Sequence, residues 1–233
     1  AMLEREPAEA LHLIWYVPKP TGVSAAPPRD RVFRGSVPVA VTRSDWDDPD
    51  ALFVGVKGGY NQVNHGHLDL GNFEMDALGV RWARDLGSDD YNLPGYFDRK
   101  PGGQRWTYYR NRSQSHNVPL IDGQGQDPSG KADITRSGSN AGCAFAILDL
   151  GGAYPAQANS VTRGVAAIAN RSALIVQDEF SLKAPAPITW GMTTDAAITI
   201  TEPGAATLVQ NGKRLNATIL SPENAVFTIE SAE

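Results

Sequence analysis

The chain has 233 residues and a formal net charge of −5, with 41% hydrophobic and 20% charged residues. These values are typical of an ordinary globular protein and allow one large β domain. The acidic balance disfavours nucleic acid as a partner, because phosphate backbones attract basic surfaces. No apolar run approaches the roughly 18 residues of a membrane-spanning helix, so we expect no membrane partner. The single cysteine, Cys143, excludes an intrachain disulfide.

The N-terminal region differs from the rest of the chain. Residues 5–17, "REPAEALHLIWYV", have the only convincing helical pattern, and residues 18–31 carry four prolines, which predicts an extended linker. From residue 32 onward the pattern changes to short β-branched and apolar runs. We therefore predict a helical remnant with a Pro-rich linker over residues 1–31 and a β domain over residues 32–233.

The second part predicts an all-β fold. Strand-like runs recur about every 8 to 15 residues between Gly, Asn, Asp and Pro, which indicates an antiparallel, multi-stranded β-sandwich. No helical segments alternate with these runs, so a parallel α/β sheet is disfavoured. The run at residues 72–87 predicts a hairpin that turns near Leu78 and Gly79, and the run at residues 105–114 predicts a further strand. The chain ends close to a strand-like run, so we expect it to be truncated.

Two of the four histidines, His65 and His67, stand one residue apart. On a β-strand such residues project from the same face, about 6 to 7 Å apart, so we expect both imidazoles to face one space. His67, Asp85 and His116 would supply two neutral nitrogens and one carboxylate. This donor set suits zinc with an open water position, although another divalent metal could also use it.

Other interpretations of the same residues stay open. "GYNQVNHGH" (residues 59–67) matches the opening of a cupin metal motif, but Gly71 and Asn72 stand where that motif requires a glutamate. A two-histidine, one-carboxylate iron site would use Asp69 in place of Asp85. A non-catalytic carbohydrate-binding module is a third alternative, since a β-sandwich does not specify function.

The stretch "NHGHLDLGNFEMDALGVRWARDLG" (residues 64–87), followed by "YYRNRSQSHNVPLIDGQGQ" (residues 108–126), resembles the C-terminal β-sandwich domain of heparinase II/III-like polysaccharide lyases. That group includes heparin lyases and oligoalginate lyases. "RSDWDDPDALFVGVKGG" (residues 43–59) is similar to the same domain. The resemblance covers roughly residues 35–150, and its motifs are long and unusual.

The resemblance implies a set of site residues. The metal ligands of the family fall on His67, Asp85 and His116, and zinc at this position would mainly organise the cleft wall. The first histidine of the pair, which lines the catalytic cleft in these enzymes, falls on His65. We expect His65 to be catalytic, through proton transfer or neutralisation of the substrate carboxylate. The substrate-binding tyrosines of the cleft loop fall on two positions of "DYNLPGYF", Tyr91 and Tyr96.

The resemblance also implies an activity and its partners. The family cleaves glycosaminoglycan or alginate-type uronate polymers and oligosaccharides by β-elimination, and pairs an N-terminal α/α-toroid with the β domain. This chain lacks a toroid, so we expect it to be inactive alone and to belong to a longer, periplasmic or secreted lyase, in which a homodimer is one expectation. Arg110 and Arg112 could bind the substrate carboxylates, or form cross-strand ion pairs.

Overall fold

The computed structural model describes residues 27–232 and consists almost entirely of β-strands. The strands are β1 (Asp30–Phe33), β2 (Val39–Arg43), β3 (Phe53–Lys57), β4 (Gly59–Tyr60), β5 (Phe73–Ala77), β6 (Val80–Ala83), β7 (Pro119–Ile121), β8 (Lys131–Ser139), β9 (Ala144–Asp149), β10 (Ala158–Ile168), β11 (Ala173–Leu182), β12 (Ile188–Trp190), β13 (Ala197–Glu202), β14 (Ala205–Gln210) and β15 (Lys213–Thr218). Short 3₁₀ helices span Gln104–Thr107, Tyr109–Asn111, Ser113–Ser115 and Gly151–Ala153.

The predicted all-β, antiparallel fold is confirmed. Within residues 27–232 there is no α-helix, and none of the helical turns there could cross a membrane. The helix predicted over residues 5–17 and most of the linker lie outside the described residues. Strand β1 begins at Asp30, slightly before the predicted start of the β domain at residue 32.

Two five-stranded antiparallel sheets form the main sandwich. The first has the order β1-β2-β3-β5-β6 and the second the order β11-β10-β9-β8-β4. Alternate residues of β10, among them Val161, Val165 and Ala167, are buried in the core, as expected for a sheet that covers a core with one face. A two-stranded sheet (β12-β7) and a three-stranded sheet (β13-β14-β15) complete the described part.

The hairpin between β5 and β6 turns where the sequence predicts. Ala77 pairs with Val80, and the two residues between them, Leu78 and Gly79, have φ angles of 57° and 70°. Two-residue hairpin turns of type I′ need positive φ at both positions, which glycine adopts without strain. Trp82 is fully buried on β6 and its Nε1 donates to the carbonyl of Ala77 at 2.9 Å. The end of β6 is therefore rigidly placed.

The strand predicted over residues 105–114 is wrong, because this segment forms three consecutive 3₁₀ turns. Its peptide groups bond locally: the amide of Asn111 donates to the carbonyl of Tyr108, and that of His116 to the carbonyl of Ser113, both at 3.1 Å. The neighbours Arg105 and Trp106 are both buried, whereas a half-buried strand would bury alternate residues. The mixture of polar and aromatic residues in this segment resembles the pattern of a strand, which explains the wrong prediction.

A buried ion pair ties the second sheet to the loops above it. Arg163 on β10 forms two 2.7 Å hydrogen bonds to the carboxylate of its cross-strand neighbour Asp178 on β11. Its Nη1 also donates to the carbonyls of Gly71 at 2.8 Å and Asn117 at 2.6 Å. One guanidinium group thus fixes a sheet and two separate loops.

We predict that Arg163→Met destabilises the protein by about 3–5 kcal/mol, because Asp178 would remain buried without its partner. The matched control is Arg81→Met, which removes the half-exposed ion pair between Arg81 and Asp76 and should cost about 0–1 kcal/mol. Urea unfolding measures both changes. Equal losses for the two variants would contradict the structural role of Arg163.

Candidate metal centre

Three separate segments bring His67, Asp85 and His116 together. His67 lies in the loop between β4 and β5, Asp85 follows β6, and His116 follows the last 3₁₀ turn before β7. Each side chain offers one donor atom, and these atoms lie within 4.8 Å of one another. Ligands of a tetrahedral zinc ion lie roughly 3.3–3.5 Å apart, so small side-chain movements would close the set around a cation.

The environment of His116 fits a bound cation. Its side chain is buried, and neither ring nitrogen has a hydrogen-bond partner within the described residues. Nδ1 lies 3.1 Å from Oδ2 of Asp85, without the geometry of a hydrogen bond. The imidazole rings of His67 and His116 are 5.3 Å apart between centroids. Buried polar nitrogens normally have partners, and a shared cation would supply one.

The two ligand types are present in the forms that bind metals. Burial lowers the pKa of His67 to about 4, although the nearby charges of Asp69 and Asp85 oppose this shift. Burial alone would raise the pKa of Asp85. The contact with His116 and the hydrogen bond from the amide of Gly87 outweigh this effect, so the pKa of Asp85 lies below the usual range of a carboxyl group. At neutral pH the site therefore holds a neutral imidazole and a carboxylate, which need no proton loss to bind a metal.

Asparagine side chains hold Asp85 and the loop of His116 in place. Nδ2 of Asn72 donates to Oδ2 of Asp85 at 2.9 Å, while its Oδ1 accepts the backbone amide of Asn117 at 2.8 Å. Asn72 therefore joins the carboxylate to the residue that follows His116. Sequence reasoning missed this role of Asn72. The only signal was its position next to β5, at the start of the predicted hairpin.

Asn117 performs a related function for the backbone. Its Nδ2 donates to the carbonyl of Phe73 at 2.7 Å and to that of Arg84 at 3.2 Å, and its Oδ1 accepts the amide of Thr193 at 2.6 Å. These bonds fasten both ends of the β5–β6 hairpin to the loop of His116. Asn117 thus positions main-chain groups around the site.

The geometry favours Asp85 over Asp69 as the carboxylate of the site. Both carboxylate oxygens of Asp69 accept hydrogen bonds from Nζ of Lys57, at 2.8 and 2.7 Å. Asp69 is 4% exposed and lies outside the group of three donors. The two-histidine, one-carboxylate alternative that uses Asp69 is therefore not supported by the arrangement of side chains.

The expectation that His65 and His67 face one space is wrong. They lie on a turn and not on a strand, and His65 has a φ of 59°. The turn is tight at Gly66, where an added Cβ would lie 2.4 Å from the carbonyl oxygen of Asn61. His67 consequently points into the protein, whereas His65 is exposed and its Nδ1 lies 3.0 Å from the hydroxyl of Tyr91.

The two tyrosines of the predicted cleft loop have different environments. Tyr91 is 45% exposed and stacks on His65 with ring centroids 5.6 Å apart. Tyr96 is 1% exposed and lies 5.0 Å from the Tyr91 ring, so it supports Tyr91 and cannot contact a substrate in this conformation. This corrects the sequence expectation for Tyr96. Phe97, which sequence reasoning missed, is 59% exposed and packs edge-on against Tyr91.

Arg110 and Arg112 do not form the cross-strand ion pairs that the sequence allowed. Their segment is not a strand, and within residues 27–232 neither guanidinium is paired with a carboxylate. Arg110 is exposed and donates to the carbonyls of Leu86 at 3.1 Å and Ser88 at 3.3 Å. Arg112 packs 5.7 Å from the ring of Tyr109.

Comparisons with known proteins agree with the fold. The model of the family described as "Heparinase II/III-like, C-terminal" matches residues 51–233. A crystal structure of a heparan sulfate lyase mutant from Pedobacter heparinus is similar over 81% of this chain and 28% of its own, with a TM-score of 0.65 and 17% identity. A structure described as a heparinase III gene product is similar over 84% of this chain and 34% of its own, with a TM-score of 0.60 and 19% identity.

These two structures are much longer proteins, since the chain spans only 28% and 34% of their lengths. At such low sequence identities the structural likeness concerns the fold. Among curated proteins no sequence matches the chain.

We predict that His116→Ala and Asp85→Asn each weaken Zn²⁺ binding by at least about 10–100-fold, because each removes a ligand or its charge. Equilibrium dialysis followed by elemental analysis measures the bound metal. The matched control is Asp69→Asn, which should keep the affinity of the unaltered chain because Lys57 is its partner. Loss of zinc in Asp69→Asn, with binding retained in Asp85→Asn, would contradict the assignment.

The lowered pKa of His67 predicts a pH-dependent stability in the absence of metal. The folded protein disfavours protonated His67, whereas the unfolded chain protonates it below pH 6.5. The stability that neutral His67 allows is therefore fully present above pH 6.5 and is lost as the pH falls from 6.5 towards 4. Relative to a His67→Gln variant, the chain should lose up to about 3 kcal/mol of unfolding free energy over that interval.

Chemical unfolding with a chelator present, repeated at several pH values, measures this difference. A His65→Gln variant serves as the control, because His65 is exposed. If the pH dependence of the unaltered chain matched that of His67→Gln, His67 would not be buried as a neutral group.

Proposed function

Because the chain belongs to the heparinase II/III-like C-terminal family, we propose that it is the β-sandwich part of a polysaccharide lyase. The proposed reaction is β-elimination on a uronate-containing polysaccharide. The observation that supports this most directly is the exposed His65–Tyr91 pair. It lies one residue from the His67–Asp85–His116 set, whose two histidines are buried. The turn at Gly66 thus separates a reactive surface pair from a candidate metal centre.

The His65–Tyr91 pair has the chemistry that elimination needs. The reaction removes the proton at C5 of a uronate, whose carbanion is stabilised by the neighbouring carboxylate, and protonates the leaving oxygen at C4. An imidazole nitrogen and a phenol hydroxyl 3.0 Å apart can hold a proton between them and exchange it with a substrate oxygen. We propose that His65 takes part in this proton transfer or neutralises the substrate carboxylate, with Tyr91 as its partner.

The set of His67, Asp85 and His116 has a structural role in this proposal. His67, Asp85 and His116 would hold a zinc ion, which when bound would connect the loop of His67, the end of β6 and the turn before β7. Elimination requires no water nucleophile, so the proposal assigns the metal a role in fixing the cleft wall. Another divalent metal could occupy the same donors.

The surface beside the pair suits an acidic sugar. Arg110 is exposed and the side chain of Arg112 is partly exposed. Guanidinium groups bind carboxylates and sulfates through paired hydrogen bonds, so we assign both arginines to substrate binding. The exposed ring of Phe97 next to Tyr91 adds an apolar surface against which a sugar ring could pack.

In the proposed function this chain is part of a longer protein. An N-terminal α/α-toroid would complete the cleft and provide the remaining groups that contact the uronate. The substrate would be a glycosaminoglycan or alginate-type polymer or oligosaccharide, and the protein would act in the periplasm or outside the cell, where such polymers occur.

The test uses the full-length gene product on heparin, heparan sulfate and alginate, with the ultraviolet absorbance of the unsaturated uronate as readout. His65→Ala and Tyr91→Phe should each lower kcat by about 10²–10⁴-fold, the contribution typical of general acid–base groups. Tyr60→Phe is the matched control, because the Tyr60 hydroxyl bonds to Gln62 away from the pair. Absence of unsaturated product from every uronate polymer would contradict the proposed function.

A further inference from the structure

We propose that Arg105 is a positioning residue that sets the opposite directions of His65 and His67. It holds the carbonyl of Gly66, the residue between the two histidines, and so keeps His65 against Tyr91. The geometric part of this inference is independent of the reaction. Its consequence for catalysis rests on the proposed lyase function.

The contacts of Arg105 connect the two parts of the surface pair. Its Nε and Nη2 both donate to the carbonyl oxygen of Gly66, at 3.1 and 2.8 Å. Its Nη1 donates to the carbonyl of Tyr96 at 3.0 Å. The planar guanidinium group therefore fixes the histidine turn and the loop of Tyr91 in one rigid unit, which a single-point donor such as lysine could not reproduce.

The surroundings of Arg105 indicate a role in geometry. The side chain is 1% exposed, and within residues 27–232 it has no carboxylate partner. Its guanidinium carbon instead lies 4.5 Å from the centre of the Tyr96 ring and 5.6 Å from that of Trp106. Aromatic faces and carbonyl oxygens stabilise such a cation only in a well-defined arrangement.

Arg105 holds the peptide group that joins Gly66 to His67, and other contacts hold the chain on either side of it. Beyond His67 the chain is held independently, since the amide of Leu68 donates to the carbonyl of Asn111 at 2.9 Å and the hydroxyl of Ser113 donates to the carbonyl of Leu68 at 2.7 Å. His65 has a φ of 59°, which is disfavoured for a residue with a side chain. On the near side, the amide of Gly66 donates to the carbonyl of Val63 at 2.9 Å and closes the turn around His65. Without Arg105 the turn would depend on this bond, so His65 should leave its disfavoured conformation while the contacts of Leu68 keep His67 in place.

The first experiment uses Arg105→Lys in the 233-residue chain, which keeps the charge and removes the fork of donors. Nitrogen NMR of the four imidazoles at one fixed pH reports the contact between His65 and Tyr91, and calorimetric titration with Zn²⁺ reports the buried set. We expect the His65 signal to move to its position in Tyr91→Phe. The zinc dissociation constant should stay within about threefold of the unaltered value.

The matched control is Arg99→Lys, because Nη1 of Arg99 makes only long contacts, 3.3–3.5 Å, with the carbonyls of Gln62 and Val63 on the same loop. It should change neither readout. An unchanged His65 signal in Arg105→Lys, or zinc binding lost together with it, would overturn the proposal. Arg105→Gln replaces Arg105→Lys if the latter does not fold, and failure of both to fold would also overturn it.

The second experiment measures the catalytic consequence in the full-length protein. Arg105→Lys should lower kcat by a factor similar to that of Tyr91→Phe, with little change in KM, and the double variant should be no slower than Tyr91→Phe. Additive losses would overturn a positioning role that acts through the pair. A moved His65 signal in a full-length protein without lyase activity would refute the proposed function and leave the positioning role intact.

Discussion

Buried backbone outside regular strands needs hydrogen-bond partners, and side chains supply many of them in the loops around the candidate metal centre. Gln126 bonds to both the amide and the carbonyl of Leu70, at 2.9 and 2.7 Å. Arg163 and Asn117 satisfy further loop carbonyls. Because amides and guanidinium groups have fixed geometry, these bonds hold the loops in defined positions above the sheets. The candidate metal centre depends on these positions.

These loops hold a short turn at Gly66 that directs two histidines to different environments. Gly66 permits a tight reversal, so His67 enters the protein while His65 stays on the surface beside Tyr91. The buried side keeps its imidazole neutral through desolvation. In the proposed function, the exposed side keeps a proton-exchanging pair within reach of a sugar. In the proposed function Arg105 maintains this division.

Part of this arrangement could be predicted from the sequence. The hairpin at Leu78 and Gly79 was predictable because its turn chemistry is local. His67 and His116 were predictable as a pair because few histidines exist to choose from, whereas the choice of Asp85 over Asp69 depended on the family resemblance. The direction of His65 was not predictable. A strand would place His65 and His67 on the same face, whereas a turn at Gly66 points them in different directions, and the local sequence does not distinguish the two. The 3₁₀ segment after Gln104 and the burial of Tyr96 depend on contacts distant in the chain, which no local pattern records.

The central claim is that three separated segments hold one divalent cation through two imidazoles and one carboxylate. The most direct test is anomalous diffraction at the zinc absorption edge from crystals of the chain grown with Zn²⁺. We expect one ordered peak about 2.0–2.2 Å from a nitrogen of His67, a nitrogen of His116 and an oxygen of Asp85. No peak at this position, or a peak coordinated by Asp69 in place of Asp85, would contradict it.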